Sequence, residues 1–107
     1  MENGQESKRL KLDNKLRSIL GSNNVYFQPP ETVKMTYPAI VYDLYRLSQR
    51  FADDYSYKKN ACYSVTVIDR HNDVDWLDKI LDNFSYCSVE RVYVADNLNH
   101  YSFIMYI

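Results

Sequence analysis

Residues 37–70 have the sequence YPAIVYDLYRLSQRFADDYSYKKNACYSVTVIDR, which predicts two β-strands joined by a polar connection. Pro38 opens the first strand, where its missing N–H does least harm to a hydrogen-bonded ladder. Both runs are rich in the β-branched and aromatic residues that suit a half-buried sheet. The positions expected to share one face alternate along each strand: Ile40, Tyr42 and Leu44 in the first, and Tyr63, Val65 and Val67 in the second.

The connection between these strands, residues 48–60, is longer than a tight hairpin requires. It places charged side chains around three aromatic residues, Phe51, Tyr55 and Tyr57. Long connections of this composition are often functional rather than merely structural. We therefore expect this part of the chain to make contacts beyond its own fold.

Length and composition restrict the class of protein. The chain has 107 residues, which predicts a single domain over residues 1–107. Its net charge is −1, so it lacks the basic excess typical of a nucleic-acid-binding protein. The N-terminal residues contain no apolar core of a secretory signal, and no apolar run approaches the ~18 residues of a membrane span. The 11 tyrosines suit both small cores and interfaces.

The chain has two cysteines, Cys62 and Cys87, without CxxC spacing. This pattern favours two buried thiols in a reducing compartment over a disulfide or a metal site.

Residues 1–5 are polar and are expected to be disordered, and residues 6–20 are expected to form a helix. Leu12, Leu16, Ile19 and Leu20 fall on one helical stripe, and Gly21 supplies the stop. The following loop is expected to place residues 25–27 against the sheet as a short extended piece. Pro29 and Pro30 would keep that piece out of a central ladder.

A second helix is predicted after residue 70, with Asn72 or Asp73 as its cap. Trp76 falls at the flank of its apolar stripe, where it would cover a core edge or contact another chain. The stripe itself consists of Val74, Leu77, Ile80, Leu81 and Phe84.

A second hairpin is predicted at the C-terminal end, with strands over Val89–Ala95 and Asn99–Ile107 and a turn over residues 96–99. The predicted element order is therefore α-β-β-α-β-β. Because hairpins pair antiparallel, this order indicates an α+β domain with an antiparallel (mixed) sheet of about four strands and two helices on one face.

Motifs that would indicate catalysis or ligand binding are missing from the sequence. Asp69, His71, Asp73 and Asp75 lack the glycine and glutamate that a calcium loop starting at Asp69 would need. With 2 glycines, the chain contains no phosphate-binding loop, and it contains no nucleophile elbow. We therefore expect no enzymatic activity, no cofactor and no metal.

Four segments, YPAIVY, FADDYSY, YSVTVIDR and VYVADNLNHYSFIMY, resemble the tail terminator, or tail completion (head–tail joining), proteins of long-tailed phages and prophages. The resemblance covers residues 37–107. Position 54 departs from it, because the family-like ADN of the first loop is ADD here. The matching positions are expected to be structural: Tyr37, Pro38, Ala52, Asp53, Ala95, Asp96, Asn97, Asn99 and His100.

The resemblance implies a structural virion protein that forms a ring, as a hexamer, at the head-proximal end of the tail tube. The ring would end tube growth and present a surface for head attachment. The implied partners are further copies of the chain, the major tail tube protein and the head–tail connector proteins. DNA would pass through the lumen without specific binding, and no membrane would be involved.

A ring needs one patch that meets a different patch on the next copy. The mixed charge beside aromatic residues makes the first connection the predicted contact with a neighbouring subunit or the tube. The candidates are Arg46, Arg50, Asp53, Asp54, Tyr55, Lys58 and Lys59. Two alternatives stay open: another head–tail connector component, and a nucleic-acid-binding or regulatory module of a prophage.

Overall fold

The structure, a computed structural model, describes residues 4–46 and 61–107. In chain order its elements are α1 (Gly4–Leu20), β1 (Val25–Phe27), β2 (Ala39–Arg46), β3 (Cys62–Asp69), α2 (Asp75–Leu81), β4 (Cys87–Ala95) and β5 (Leu98–Tyr106). The strands form one sheet in the order β1-β2-β3-β5-β4. Only β1 pairs parallel with its neighbour, β2, and the other described pairs are antiparallel. The predicted α+β class is confirmed.

The sheet has five strands rather than about four, because Val25–Phe27 pairs with β2 at the sheet margin. Backbone hydrogen bonds hold both ends of this short strand: Ile40 N–H donates to Asn24 O at 2.9 Å, and Gln28 N–H donates to Tyr42 O at 2.9 Å. Two prolines follow at once and lack N–H groups. The extended piece expected here is therefore an edge strand, which adds an element to the predicted order.

The first helix begins at Gly4, so Gly4 and Gln5 are helical rather than disordered. Glycine is tolerated at a helix start, and the first turn needs no partner for its N–H groups beyond solvent. The helix ends as predicted: Gly21 has φ +80°, and its N–H donates to Arg17 O at 2.8 Å.

Both helices pack on one side of the sheet, which we call the helix face. Leu12 and Leu16 of α1, and Trp76 and Ile80 of α2, belong to a single core with the sheet. The sheet contributes alternate residues to this core, which are Ile40, Tyr42, Tyr63, Val65, Val67, Tyr101, Phe103 and Met105. The alternation predicted for the strands is therefore confirmed. Leu44, opposite Tyr63, shares this face but is 38% exposed. We call the other side of the sheet the outer face.

The predicted stripe of the second helix is wrong at Val74, whereas Leu77, Ile80, Leu81 and Phe84 lie in the core or pack against it. Val74 is 62% exposed, whereas Trp76 is 5% exposed and lies in the core. The reason is chemical as well as geometric, because the indole N–H of Trp76 donates to Asp69 Oδ2 at 2.9 Å. Burying the indole therefore leaves no unsatisfied donor.

The cap of α2 also differs from the prediction. The capping position is Val74, which makes no side-chain cap hydrogen bond. Asp73, one residue earlier, still accepts the N–H of Asp75 at 3.0 Å through its carboxylate. Asn72 accepts the hydroxyl of Tyr101 at 3.1 Å, so it ties the loop to the sheet.

The C-terminal hairpin closes more tightly than predicted. Strand β5 begins at Leu98, so the turn comprises Asp96 and Asn97 alone, with φ +54° and +63°. Two consecutive positive φ values are typical of the type I′ turn, which matches the twist of a two-residue hairpin. Within the described ranges, no helix is both long and apolar enough to cross a membrane.

Candidate functional site

Most of the predicted interface residues lie outside the described residues: Arg50, Asp53, Asp54, Tyr55, Lys58 and Lys59. The motif position Ala52 also lies outside them. Arg46 is the last residue of β2. On the other side of the gap, the backbone of Ala61 exchanges two hydrogen bonds with Ile107, at 3.0 and 3.3 Å. The first connection therefore leaves and re-enters at the end of the sheet formed by the end of β2 and the start of β3.

The described positions of the expected sequence motif lie at the opposite end of the sheet. Tyr37 and Pro38 precede β2, and Asp96 and Asn97 form the β4–β5 turn. His100 lies opposite Ile68, which in turn lies opposite Ala39. The end of β2 and the start of β3, which flank the predicted interface connection, are therefore separated from the described motif positions by the length of the strands.

Contacts within the chain stabilise the end of the sheet where these motif positions lie. The guanidinium of Arg70 lies over the Tyr37 ring, 5.5 Å from its centroid. The side-chain amide of Asn99 is 3.4 Å from the carbonyl oxygens of both Asp69 and Arg70. These contacts join the ends of β3 and β5 to the entry of β2, which favours the structural role expected of Tyr37 and Asn99.

Strand β4 forms one margin of the sheet and is exposed along most of its length. In the described part of the chain it pairs only with β5. Val89, Val92 and Val94 lie opposite Phe103, Tyr101 and Asn99, so all three valines point to the helix face. They are nevertheless 41%, 52% and 68% exposed. We call these three residues the valine row.

A bulge interrupts β4 between Val89 and Arg91. Glu90 accepts a 2.8 Å hydrogen bond from Ser102 Oγ, and Ser102 points to the outer face because its neighbours Tyr101 and Phe103 lie in the core. Arg91 also lies on the outer face, with its guanidinium 4.3 Å from the centroid of the Tyr93 ring. The extra residue thus places Glu90 and Arg91 side by side on one face and keeps the valines together on the other.

The outer face of β4 and β5 carries a small aromatic cluster. The rings of Tyr93 and His100 are stacked, with centroids 4.7 Å apart and planes inclined by 14°. His100 Nδ1 is 3.0 Å from Leu98 O, its backbone partner two residues earlier. The Tyr93 ring therefore contacts both an imidazole and a guanidinium from its own chain.

A polar network fastens α1 to the sheet at the other margin. The fully buried Tyr42 donates its hydroxyl hydrogen to Asp13 Oδ2 at 2.6 Å and accepts a hydrogen bond from Arg9 at 3.2 Å. Arg17 forms an ion pair with the same Asp13 carboxylate. Burial and the bond to Asp13 raise the pKa of Tyr42 well above its ordinary value.

The Asp13 carboxyl is affected in the opposite direction. Burial alone would raise its pKa, but hydrogen bonds from Arg17 and Tyr42 and the positive charges of Arg17 and Arg9 outweigh burial. The pKa of Asp13 is therefore lower than its usual 3.8. Each charge of this network has a partner inside the chain, so its chemistry is that of a structural anchor.

The two cysteines lie on opposite faces of the sheet. Cys87 is opposite Met105 of the core, whereas Cys62 is opposite Tyr106. Cys62 is buried as predicted, but Cys87 is only partly covered, because it lies in the exposed strand. Burial raises the pKa of the Cys87 thiol to about 11. Few thiolates would exist near neutral pH, which disfavours Cys87 as a nucleophile.

Among the described residues, no group of three or more His, Cys, Asp or Glu side chains is arranged to hold a metal ion. Asp69, which the sequence places beside His71 and Asp73, instead accepts hydrogen bonds from the His71 backbone and the Trp76 indole. Asp69 therefore ends β3 and ties it to α2.

The valine row is the feature that sequence reasoning missed. Its signal was present, because Val89, Val92 and Val94 surround the adjacent charges of Glu90 and Arg91. A strand pattern, however, does not reveal whether the strand is central or marginal. Only the sheet order showed that β4 lies at the margin.

Neither a family model, a curated protein nor a solved structure matches this chain.

Proposed function

We propose that the chain is a non-catalytic structural subunit that assembles into a ring at the head-proximal end of a phage tail tube. The observation that supports assembly is the valine row on the margin of the sheet, where β4 has no second strand partner among the described residues. Long exposed edge strands with apolar side chains invite pairing with other chains, and proteins that remain alone normally protect them. The phage assignment itself rests on the resemblance of residues 37–107 to tail terminators.

A ring requires two different patches on each subunit. The β4 margin offers one. The second, in this proposal, is the predicted contact region of the first connection, which joins β2 to β3. Because β5 separates β3 from β4 in the sheet order, the strand ends that flank this connection are not part of the β4 margin. Such an arrangement suits contacts that run from one copy to the next around a ring.

The decisive experiment is electron microscopy of tails from a phage that lacks this gene. Loss of a tail terminator should give over-long tubes without heads, and the wild-type gene supplied in trans should restore tails of normal length. Normal tails without heads would favour another head–tail connector protein instead. Normal virions would contradict both structural assignments.

A second experiment tests the predicted contact region directly. Reversing the charges of Asp53 and Asp54 to lysine should weaken ring formation on tail tubes and leave the monomer folded. Glu31→Lys is the matched control, because Glu31 is an exposed carboxylate in a different loop. Rings that form equally well in the double variant, seen by negative-stain microscopy, would remove this region from the proposed interface.

The nucleic-acid-binding alternative has one feature in its favour, the Arg91–Tyr93–His100 cluster on the outer face. Aromatic platforms bind single strands by stacking bases on free ring surfaces. Here the Tyr93 ring already contacts Arg91 and His100. Binding to a single-stranded oligonucleotide that falls steeply with salt would favour this alternative over the structural one.

A further inference from the structure

The bulge in β4 makes the exposed margin of this strand complementary to itself. Around the Glu90–Arg91 bond the sequence is Val89-Glu90-Arg91-Val92. Reading outward from that bond in either direction gives a charged residue on the outer face and then a valine on the helix face. The two charges have opposite signs. A second β4 strand running antiparallel therefore meets matching side chains at each position.

We propose that two copies of the chain pair edge to edge through β4, antiparallel, about a two-fold axis at the Glu90–Arg91 bond. In this register Glu90 of each copy lies opposite Arg91 of the other, and Val89 lies opposite Val92. Farther out, Cys87 meets Val94. Directly opposite residues of an antiparallel pair share a face, and the faces agree at all of these positions.

Neighbouring registers are unfavourable for a simple electrostatic reason. Sliding one strand by a single residue in one direction places Glu90 opposite Glu90, and sliding it in the other places Arg91 opposite Arg91. Like charges directly opposite one another destabilise a strand pair. Each slip would also set valines of one copy against charged residues of the other face. The charges therefore select the register in which the valine rows adjoin.

The same contact accounts for the exposure of the valine row. Side-by-side valines from two copies form one apolar strip that crosses the axis on the helix face. The valine pairs remove apolar surface from water, and the charged pairs on the outer face add register specificity. The two bulges lie next to each other at the axis, so each strand presents the same local twist to its partner.

A two-fold contact closes on itself and gives a dimer rather than a ring. The dimer is therefore a state of the free subunit, and it would have to open before the β4 margin could serve in a ring. This inference does not depend on the proposed function. It would hold for any role in which the free chain has to protect its exposed strand.

Charge exchange tests the pairing. E90R places four positive side chains at the axis, and R91E places four negative ones. Each single variant should therefore be monomeric in sedimentation equilibrium. The wild type should have twice the mass of the 12.7 kDa chain. We expect the dissociation constant to rise at least tenfold in each. The double variant E90R/R91E restores opposite charges at both positions and should dimerise again.

Mixing the two single variants gives the sharpest result. One chain then carries two arginines at the axis and the other two glutamates, so an equimolar mixture should form dimers that contain one copy of each. A contact between β4 and a different surface would not be restored by mixing. Native mass spectrometry separates the mixed dimer from the homodimer of either variant by mass, so the chains need no isotope label.

Two controls keep the result interpretable. E90R removes the acceptor of Ser102 Oγ, whereas R91E leaves that bond intact, so R91E remains informative if E90R does not fold. R91K should dimerise like the wild type. A wild type that stays monomeric at several hundred micromolar, or single variants that dimerise as well as the wild type, would overturn the pairing. The pairing would also be overturned if the wild type were a hexamer and mixing the two single variants did not restore assembly. That result would nevertheless support the proposed ring.

Discussion

Strands β3 and β4 both direct valines to the helix face of the sheet, but the valines of β3 are buried and those of β4 are exposed. Val65 and Val67 of β3 are 0% exposed, whereas Val89, Val92 and Val94 of β4 are between 41% and 68% exposed. The difference is position, because β3 lies inside the sheet, between β2 and β5, whereas β4 forms its margin. An alternating apolar pattern therefore identifies the inward side of a strand, but the position of the strand in the sheet decides which inward residues become buried.

The largest effect should come from placing a charge under the helices. Val65→Asp would bury an unpaired carboxylate at a fully buried site, at a cost of about 4 kcal/mol or more, which approaches the total stability of a small domain. Val92→Asp, made at the margin, should cost under about 1 kcal/mol. Urea unfolding followed by circular dichroism measures both, at protein concentrations low enough to keep the chains monomeric.

A similar loss of stability in the two aspartate variants would contradict the contrast between the strands. The comparison also has a second readout, since Val92→Asp should prevent β4 pairing while leaving the monomer folded.

The next largest effect should come from the hydrogen bond that attaches α2 to β3. Trp76→Phe keeps most of the ring but removes the N–H that Asp69 accepts in the core. Because the lost hydrogen bond involves a buried carboxylate, the free energy of unfolding should fall by about 2–3 kcal/mol. A double-mutant cycle with Asp69→Asn should give a coupling energy above about 1 kcal/mol.

Tyr86→Phe is the control for removing a polar group from an aromatic side chain, because Tyr86 is 74% exposed. It should change stability little. Additive effects of Trp76→Phe and Asp69→Asn would show that the indole–carboxylate bond is not what holds α2 in place.

A smaller effect, dependent on pH, should come from the anchor of α1. Asp13→Asn removes a carboxylate that accepts from Tyr42 and Arg17, and we expect a loss of about 1–2 kcal/mol at neutral pH. The pKa of Asp13 is lower than 3.8 in the folded chain, so its stabilisation is complete above that value and is lost as the pH falls through the folded pKa.

The measurement is the difference in unfolding free energy between the wild type and Asp13→Asn across pH 2–7. The difference should stay constant above about pH 5 and shrink toward zero in acid, where the wild-type carboxyl becomes protonated. A difference that grew on acidification would mean that the pKa of Asp13 is raised rather than lowered.

The smallest effect should appear at the tip of β4. Val94→Thr exchanges a methyl group for a hydroxyl at a site that is 68% exposed, so stability should change by less than about 0.5 kcal/mol. Val67→Thr makes the same exchange in the core and should cost about 1–3 kcal/mol, because a hydroxyl is buried there. Thermal unfolding of the matched pair, at protein concentrations low enough to keep the chains monomeric, resolves the difference. Equal costs would indicate that β4 is covered in solution by something other than its own chain.

Local signals were enough for much of this fold. The alternation of Tyr63, Val65 and Val67 specified which side of β3 is buried, and the adjacent Asp96 and Asn97 specified a turn that accepts positive φ. Gly21 specified the end of the first helix for the same reason, since its φ of +80° is costly for residues with a Cβ. These features depend on residues close together in the chain, so periodicity and turn chemistry suffice to predict them.

The candidate site was much less accessible to such reasoning. Predicted contacts in the first connection fall largely outside the described residues and stay predictions. The exposed valine row was not predicted, because nothing in the sequence of residues 87–95 indicates that β4 is an edge strand. Trp76 was placed at a flank because its partner, Asp69, lies on a different element and supplies the acceptor that makes its burial favourable.

By itself, the amino-acid sequence determined the helices, the strands, the side of each strand that faces inward and the α+β class. Only the tertiary structure decided that residues 25–27 join the sheet, that Trp76 enters the core, and that β4 lies at the margin with its valines uncovered. The physical reason is the distance along the chain between the residues that interact. Helical and strand periodicity are set by neighbours a few residues away, whereas strand order and the reach of the helices depend on which distant segments pair most favourably.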